Sequence, residues 1–509
     1  MQKIERREFL KIAGAGAGAI VLSSLFHDRL LAGVLPKGGA DLFRTRFGVT
    51  REDMTKVLEA ALSKGGDFAD LFFEYRLANN VTMEDDIIRE SGEDVTLGVG
   101  IRVLDDRQTG YAYTSDLTPE KMRHAALTAA AIAASASKVK AVGLKETKPN
   151  KQVYTVTDSF ADAPLGDRIT LVKEAYAAAK DHDQRITKVV AVLLDELQYV
   201  TIVNSEGLMI SDARPQVRLV VRTTAEEEGK RVSGSDNAGG RVGMTFYRTP
   251  GLTPKEIGTR AAQEAIILLS AVDPVPGDQP VVLSSKQSGV MVHEAVGHPL
   301  EGDSNWKKTS IMWDKLGQMV ANPIVTIYDD ATIPHYRGSF NIDDEGTLTR
   351  KAMLIEKGKL VDYLHDRLSA RILGMKPNGH GRRENFSVVP IPRMNNTVLE
   401  RGDASPEDII KSVQKGFYAE SYRGGQVEDT GKFTFSVNLG YLIEDGKLTR
   451  PVKNATLIGT NVQILKEVEM IGNDMAFFLG TCGKDGQSAP CTSGTPTFKL
   501  KQMTVGGRS

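Results

Sequence analysis

The first half of the chain contains long stretches in which apolar and polar residues alternate. Residues 70–90 and 94–114 show this pattern, and residues 189–226 continue it over a longer run. Alternation with a period of two is typical of strands that bury one face. We expect turns at residues 79–80 and 105–106, because asparagine and aspartate favour turn conformations.

Three segments between these strands have the pattern of helices. Residues 51–64 and 164–181 are predicted to be helical, and a third helix is predicted to begin at Thr118 and Pro119. The sequence LTPKEIG at 252–258 nearly repeats that start. Helices and strands are interspersed without strict β-α-β alternation, so the expected fold class is α+β and not a doubly wound sheet.

A proline-rich stretch separates this half from the next. Residues 273–280 read DPVPGDQP, with three prolines in eight positions, which is typical of a domain boundary. Short strands dominate beyond it, with hairpin turns expected at 356–359 and 444–447. We predict two domains, a mixed α/β N-terminal domain with antiparallel strands at 45–272 and a β-rich C-terminal domain at 279–509.

The composition is that of a soluble globular protein and does not indicate a nucleic-acid partner. Of 509 residues, 41% are hydrophobic and 25% are charged, and the formal net charge is -1. A protein that binds nucleic acid is expected to carry a basic excess. We therefore expect no nucleic-acid partner for this chain.

The first 40 residues have the pattern of a twin-arginine export signal. Arg6 and Arg7 precede a mildly apolar run, rich in glycine and alanine, that ends near Phe26. Such a signal is read by a receptor and is not an anchor, and the run is too short and too glycine-rich to be a good bilayer span, which needs about 20 apolar residues. Residues 1–40 are predicted to direct export to the periplasm or the cell exterior, with no stable membrane anchor afterwards. An amphipathic first helix or a lone anchor is the alternative.

The motif with the clearest chemistry lies in the second half and reads MVHEAVGHPLEGD. It places His293, directly followed by Glu294, five positions before His298. Histidines four apart share a helical face, whereas a spacing of five places them about 140° apart around an ideal helix. We predict that the helix breaks at Gly297, helped by the proline after His298, and that the break lets both imidazoles reach one metal ion.

In this arrangement Glu294 would act as general base towards a metal-activated water. A catalytic metal usually has three protein ligands, and spacing does not choose the third among Glu301, Asp303, His335, His365, His380 and Cys482. The alternative is a helix end with surface histidines. The two cysteines, Cys482 and Cys491, could instead form a disulfide in an exported protein.

Seven blocks of the second half resemble, in the same order, the TldD/PmbA family of metallopeptidases. They are HEAVGHPLEGD at 293–303, IDDEGT at 342–347, GRRENF at 381–386, PIPRMNNT at 390–397, GGQVE at 424–428, KNATLIG at 453–459 and GTCGKDGQS at 480–488. The histidine block resembles that of the catalytic, TldD-like branch. The resemblance covers nearly all of the second half, and the first half is similar in organisation.

The resemblance implies a Zn²⁺ ion held by His293, His298 and Cys482, with Glu294 as the catalytic base. It also implies hydrolysis of short or unstructured peptides in an enclosed site. We expect the C-terminal domain to carry the metal-binding helix. Family members typically pair with a PmbA-like paralogue, so we expect such a heterodimer or a homodimer. Competing interpretations are a zinc amidase of cell-wall peptides and a non-catalytic scaffold that zinc stabilises.

Further residues are candidates for supporting functions. Glu301 and Asp303 could accept hydrogen bonds from metal-binding histidines. Arg382 and Arg383 could bind a peptide carboxylate, with ordinary salt bridges as the alternative. Candidate donors to an oxyanion are His335, His365, His380 and Tyr422.

Overall fold

The computed structural model describes residues 42–133, 139–155, 160, 163–428 and 430–507. Within these ranges the chain forms largely antiparallel sheets flanked by helices, so the predicted α+β fold class is confirmed. The predicted export signal at 1–40 lies outside the described residues. No helix within the described ranges is long and apolar enough to cross a membrane.

Five helices and seven strands make up the described part of the first half. The helices are α1 (Leu42–Phe47), α2 (Arg51–Ala61), α3 (Pro119–Ile132), α4 (Leu165–Lys180) and α5 (Pro254–Leu269). The strands are β1 (Phe68–Glu84), β2 (Ile87–Asp105), β3 (Gln108–Thr114), β4 (Lys145–Thr147), β5 (Ile186–Asn204), β6 (Leu208–Glu227) and β7 (Lys230–Gly240). The three helices predicted between the strands are confirmed as α2, α3 and α4.

One seven-stranded sheet organises this half. Its strand order is β3-β2-β1-β5-β6-β4, and β7 also pairs with β6. Neighbouring strands are antiparallel, except that β4 runs parallel to β6. Helices α2 and α3 contribute to one apolar core against this sheet, and α4 and α5 contribute to a second.

The second half is rich in short strands. Its strands are β8 (Gly277–Leu283), β9 (Ile327–Asp330), β10 (Lys351–Glu356), β11 (Lys359–Leu360), β12 (Gly381–Arg382), β13 (Ile391–Pro392), β14 (Asn396–Leu399), β15 (Lys415–Val427), β16 (Lys432–Glu444), β17 (Lys447–Val452), β18 (Ala455–Thr460), β19 (Val468–Ile471), β20 (Ala476–Lys484), β21 (Gln487–Thr495) and β22 (Phe498–Gly506). Its α-helices are α6 (Gly289–Val292), α7 (Gly302–Trp306), α8 (Arg367–Ile372), α9 (Pro406–Lys411) and α10 (Asn461–Lys466).

Two larger sheets enclose the main core of this half. Strands β15, β8, β22, β18 and β16 close into a ring, because β15 pairs with β16 as well as with β8. The other sheet has the order β11-β10-β9-β14-β21-β20, which leaves β20 at its edge. Apolar side chains of both sheets and of α6 form one continuous core. The division into independent domains stays a prediction.

The predicted turns are mostly present. Left-handed backbone occurs at Asp106, Lys357 and Asp445, with φ values of 49°, 47° and 52°, so the turns expected at 105–106 and in the two hairpins are confirmed. The turn expected at residues 79–80 is wrong, because β1 runs straight through both asparagines.

The first hairpin turns at Asp85 and Asp86, where φ is 49° and 62°. Asn79 remains in the strand, and its Nδ2 donates to Oδ1 of Asp195 on β5 at 3.0 Å. Asparagine favours turns because its side chain bonds to nearby backbone. Here a partner on a neighbouring strand takes the place of that local bond.

Buried ion pairs join the two halves. Arg102 contacts Asp70 within the first half, and its Nη1 lies 2.7 Å from Oε1 of Glu345 in the second. Arg214 reaches across in the same way, with Nη1 at 2.5 Å from Oδ1 of Asp344. All five side chains are buried. Removing one partner of a buried pair costs about 3–5 kcal/mol, so these contacts fix the halves relative to each other.

Two nearly identical helix starts differ in their caps. Thr253 begins α5 with a capping box: its Oγ1 accepts from the N–H of Glu256, whose carboxylate accepts from the N–H of Thr253. Thr118 occupies the same position before α3 but makes no side-chain cap bond. The third helical position there is Lys121, which has no acceptor oxygen.

Replacing Thr253 by alanine is expected to lower the free energy of unfolding by about 1 kcal/mol, because the N–H of Glu256 loses its acceptor and the Glu256 carboxylate loses the Thr253 hydroxyl. The measurement is the midpoint of urea unfolding. Thr118→Ala is the matched control and is expected to change the midpoint less. Equal effects of the two substitutions would contradict the assignment of the capping box.

Candidate metal centre

The two histidines of the motif lie on a widened helical turn. Helix α6 passes directly into a π turn at His293–Gly297, in which the N–H of His298 donates to the carbonyl of His293. A π turn closes on i+5 and not on i+4, so residues five apart come to lie on one face. The predicted helix break is wrong, since Gly297 and His298 keep helical φ/ψ values of -58°/-62° and -57°/-46°.

Gly297 is required by its neighbour and not by its backbone conformation. A Cβ atom at this position would lie only 1.7 Å from Sδ of Met394. Met394 is itself 1% exposed and belongs to the main core, so it has little room to move away. The absence of a side chain at Gly297 therefore lets the histidine-bearing turn lie directly on that core.

A hairpin brings Cys482 to the histidines. Strands β20 and β21 pair on either side of a turn at Asp485 and Gly486. The Sγ of Cys482 lies 3.2 Å from Nε2 of His298, and the ligand atoms of His293, His298 and Cys482 all lie within 4.8 Å of one another. Metal bonds of about 2.0–2.3 Å in a tetrahedral site separate ligand atoms by about 3.3–3.6 Å. The three side chains could therefore close on one ion with small movements.

These three side chains change one another's ionisation. Burial opposes ionisation of the Cys482 thiol, but charge interactions and hydrogen bonds with His293 and His298 outweigh burial and lower its pKa to about 4. Burial opposes protonation of His298, but Glu301 and Cys482 outweigh it and raise its pKa to about 10. The centre thus favours a thiolate, which is the form of cysteine that binds metal ions.

Glu301 orients one of the histidines. Its Oε2 accepts a hydrogen bond from Nδ1 of His298 at 3.0 Å, which leaves Nε2 to face Cys482 and a metal ion. Burial opposes ionisation of Glu301, but Lys484 and His298 outweigh burial and lower its pKa to about 2. Glu301 therefore contacts a histidine as predicted, whereas Asp303 accepts from Nζ of Lys484 at 2.6 Å.

Lys484 is a residue of the centre that the sequence analysis missed. Its Nζ lies 3.1 Å from Oε2 of Glu301, so it holds the carboxylate that orients His298. Lys484 follows Cys482 by two positions on β20, and residues two apart on a strand point to the same face. That spacing is the signal by which the sequence could have identified it.

Glu294 lies in a cavity together with the three candidate ligands. The cavity has a volume of about 740 Å³, and His293, Glu294, His298 and Cys482 are among its lining residues. Oε2 of Glu294 lies 3.9 Å from Nε2 of His298. Burial raises the pKa of Glu294, which brings it closer to neutral pH, where a general base is most effective. The geometry therefore suits proton transfer beside the centre.

Two strand edges border this cavity. Strand β15 has β16 along one edge, and on its other edge β8 pairs with it only at residues 417–419. Further along that second edge, the described residues 424–427 have no paired strand. These four residues line the cavity. Strand β20 is the edge of its sheet, and residues 478–484 line the cavity as well. An extended chain in the cavity could pair with backbone groups of either strand.

The other candidates from the sequence lie elsewhere. His365 and His380 are fully buried, His335 is exposed, and the hydroxyl of Tyr422 is hydrogen-bonded to Ser288 at 2.9 Å. Among the described residues that line the cavity, none is one of these three histidines or Tyr422. The predicted role of these four as oxyanion donors therefore finds no support in their positions.

Cys491 lies close to the centre without joining the converging group. It pairs with Gly480 across the hairpin and is 2% exposed. Burial opposes protonation of His293, but Cys491 and Cys482 outweigh burial and raise the pKa of His293 well above its ordinary value. Both cysteines are free thiols, so the structure contradicts the disulfide alternative.

Gly297→Ala is expected to lower the free energy of unfolding by about 1–3 kcal/mol, because the added methyl group overpacks the contact with Met394. Urea unfolding measures this loss. Combining it with Met394→Ala provides the control: the glycine substitution is expected to cost much less in that background. An equal cost with and without Met394 would show that the close contact is not the cause.

Sequence models of one family cover most of the chain. The PmbA/TldA metallopeptidase domain 1 matches residues 69–133, the central domain matches 158–269, and the C-terminal domain matches 276–507. The histidine motif, Cys482 and the supporting residues all fall in the C-terminal match.

Solved structures share the fold. A Thermotoga maritima protein is 24% identical with a TM-score of 0.73, covering 90% of this chain and 100% of that chain. TldE from Thermococcus kodakarensis is 20% identical with a TM-score of 0.71, covering 89% of this chain and 100% of its own. These two proteins support the architecture described above.

Curated relatives carry the name of one branch. The "Metalloprotease TldD homolog" of Buchnera aphidicola is 36% identical over 469 residues, covering 90% of this chain and 96% of that protein. The protein of the same name from Haemophilus influenzae is 36% identical over 474 residues, covering 91% of this chain and 98% of its own. The chain therefore belongs to the PmbA/TldA metallopeptidase family, which is the TldD/PmbA family that its sequence motifs resemble.

Proposed function

We propose that this metallopeptidase is zinc-dependent and hydrolyses short or unstructured peptides, with Zn²⁺ held by His293, His298 and Cys482 and with Glu294 as general base. The observation that supports it best is the convergence of three ligand atoms within 4.8 Å in a cavity that also contains a buried carboxylate. A thiolate with two imidazoles suits tetrahedral zinc, and three protein ligands leave the fourth position for water or substrate.

The residues around the centre have distinct tasks in this reaction. A zinc ion bound there would supply a Lewis acid that polarises the peptide carbonyl and makes water easier to deprotonate. Glu294 takes a proton from the attacking water and passes it to the leaving amine. Glu301 accepts the hydrogen bond of His298 Nδ1, so that Nε2 keeps its lone pair directed into the cavity.

The walls of the cavity favour an extended substrate. Residues 424–427 of β15 and 478–484 of β20 line it, and hydrogen bonds to a strand edge require an extended peptide. A folded domain cannot offer such a segment without unfolding. Short or unstructured peptides are therefore the substrate class that this arrangement accepts most easily.

Two further parts of the proposal concern the protein's surroundings. Pairing with a PmbA-like paralogue, or with a second copy, is supported by the fold shared with TldE. Size measurement of the purified chain, alone and with such a paralogue, tests this.

Export by the twin-arginine route rests on the residue pattern at 1–40, and cell fractionation of wild type and an Arg6→Lys, Arg7→Lys variant tests it.

Cys482→Ser is expected to reduce bound zinc from about one ion per chain to a small fraction, because the site loses its thiolate. Elemental analysis of identically purified proteins measures this. Cys491→Ser is the matched control, since it removes a buried thiol of the same hairpin that lies outside the converging group. Full zinc in Cys482→Ser would remove Cys482 from the proposed site.

Glu294→Gln is expected to lower the turnover of a linear, unstructured peptide by about 10²-fold or more, because the general base is lost. Zinc content should not change, since Glu294 is not a proposed ligand. The control is Glu356→Gln on an exposed hairpin. Undiminished turnover would contradict the role of Glu294, and turnover of cell-wall fragments in preference to linear peptides would favour an amidase.

A further inference from the structure

A second cavity lies between the two halves of the chain. Its volume is about 180 Å³, and its walls come from β1, β5 and β6 on one side and from the second half on the other. Thr481 lines both this cavity and the one that contains the candidate metal ligands. The two cavities therefore share a wall at β20, one residue before Cys482.

The described lining of this second cavity is strongly basic. It includes six arginines but only three acidic side chains. The arginines are Arg76, Arg214, Arg241, Arg337, Arg382 and Arg383, and the acidic residues are Glu196, Asp344 and Glu384. A small space lined in this way carries a local excess of positive charge, although the chain as a whole has a net charge of -1.

Three of these arginines have no carboxylate within salt-bridge distance among the described residues. Arg214 pairs with Asp344, whereas Arg241, Arg337 and Arg382 form no ion pair in the described part of the chain. In the described part of the chain these arginines donate hydrogen bonds to neutral groups, such as the carbonyl of Pro215 for Arg241. Acidic side chains act on these three arginines only from beyond salt-bridge distance, such as Asp344 on Arg382.

The same three guanidinium groups are shielded from water. Arg241, Arg337 and Arg382 are 2%, 7% and 3% exposed. The Nε atoms of Arg241 and Arg337 are buried without a hydrogen-bond partner. Burial lowers the pKa of all three side chains, that of Arg382 to about 9, which reflects the cost of keeping them charged.

Like charges also crowd around one aromatic ring. The guanidinium carbons of Arg241, Arg382 and Arg214 lie 4.0, 4.3 and 5.0 Å from the centroid of Phe340. Attraction to the ring offsets part of the burial cost. Arg214 also has carboxylate partners in Asp344 and Asp212, whereas Arg241 and Arg382 have the ring but no ion pair among the described residues. Buried charges in proteins are normally paired, so a negatively charged partner is the missing component.

We propose that this cavity binds a small oxyanion, a carboxylate, phosphate or sulfate group, between Arg241, Arg337 and Arg382. Guanidinium groups suit this ligand because their N–H donors match two oxygens at once. The cavity volume of about 180 Å³ accommodates one such group. The anion bridges the halves, since Arg241 belongs to the first and the other two arginines to the second.

The proposal places the anion beside the metal-binding hairpin. Nη1 of Arg337 donates to the carbonyl of Gly480 at 3.0 Å and to Oγ1 of Thr481 at 3.2 Å, directly before Cys482 on β20. The site is separate from the proposed peptidase chemistry, because none of its three arginines lines the metal cavity among the described lining residues. It can therefore be tested without turnover.

The first experiment measures inorganic sulfate binding to the full-length, zinc-loaded protein by calorimetry and by thermal unfolding at constant ionic strength. Sulfate is expected to bind saturably and to raise the melting temperature, because it binds the folded state. Arg337→Gln is expected to weaken binding about tenfold or more, the effect of losing charged hydrogen bonds. Arg241→Gln provides the same test if Arg337→Gln does not fold.

Two controls separate this site from other causes. Arg107→Gln removes an exposed arginine and should leave sulfate binding unchanged. Cys482→Ser should also keep sulfate binding, which excludes the metal as the binding group. Three results would overturn the proposal. Sulfate could act no more strongly than chloride, its effect could be undiminished in both Arg337→Gln and Arg241→Gln, or its effect could be lost in Cys482→Ser.

A final comparison identifies the source of the anion. Peptides with a free carboxyl terminus and the same peptides with a terminal amide are titrated into Glu294→Gln, with and without sulfate. If the peptide with the free carboxyl terminus binds more tightly and sulfate weakens its binding, the cavity is a site for a peptide carboxylate. That interpretation rests on the proposed function. Equal binding of both forms, with sulfate still bound, supports a free anion that links the halves.

Discussion

The hydrogen bond from the N–H of His298 to the carbonyl of His293 is the interaction on which the candidate centre depends. It closes a helical turn over five residues and so places on one face two imidazoles that an α-helix would separate. Nothing else in the motif could do this without interrupting the helix. Because the turn must lie directly on the core, the structure needs a residue without a side chain at Gly297, against Met394.

The centre also depends on charge. A thiolate beside two imidazoles is stable only where positive charge or a metal ion is close, and burial alone would keep Cys482 neutral. The structure supplies the balance through a chain of contacts in which Lys484 holds Glu301 and Glu301 holds His298. Glu301 is 1% exposed, so its charge would be costly to bury without these partners. The position of the candidate ligand His298 is thus set by residues outside the proposed ligand set.

Buried charge also determines the structure of the junction between the two halves, but there only some of the charges are paired. Some buried arginines there are neutralised by carboxylates of the opposite half, as Arg102 is by Glu345. Others, such as Arg337, are buried with neutral partners only. The paired charges of this junction fix the halves, and the unpaired ones form the site that we propose for an anion. Arg337 contacts Gly480 and Thr481 on β20, the strand that bears Cys482. The junction and the candidate metal centre are therefore adjacent in the structure.

The sequence by itself determined the fold class, the helices α2, α3 and α4 and most turns, because these depend on periodicity and on local backbone preferences. Through motifs that resemble a known family, it also indicated that His293, His298 and Cys482 gather at the centre, but it did not indicate Lys484. Tertiary structure decided the rest. The turn at Asn79 was displaced by a bond to Asp195 on another strand, and the five-residue spacing was absorbed by a π turn and not by a break at Gly297. Such outcomes depend on which side chains lie opposite each other in space, and local spacing does not contain that information.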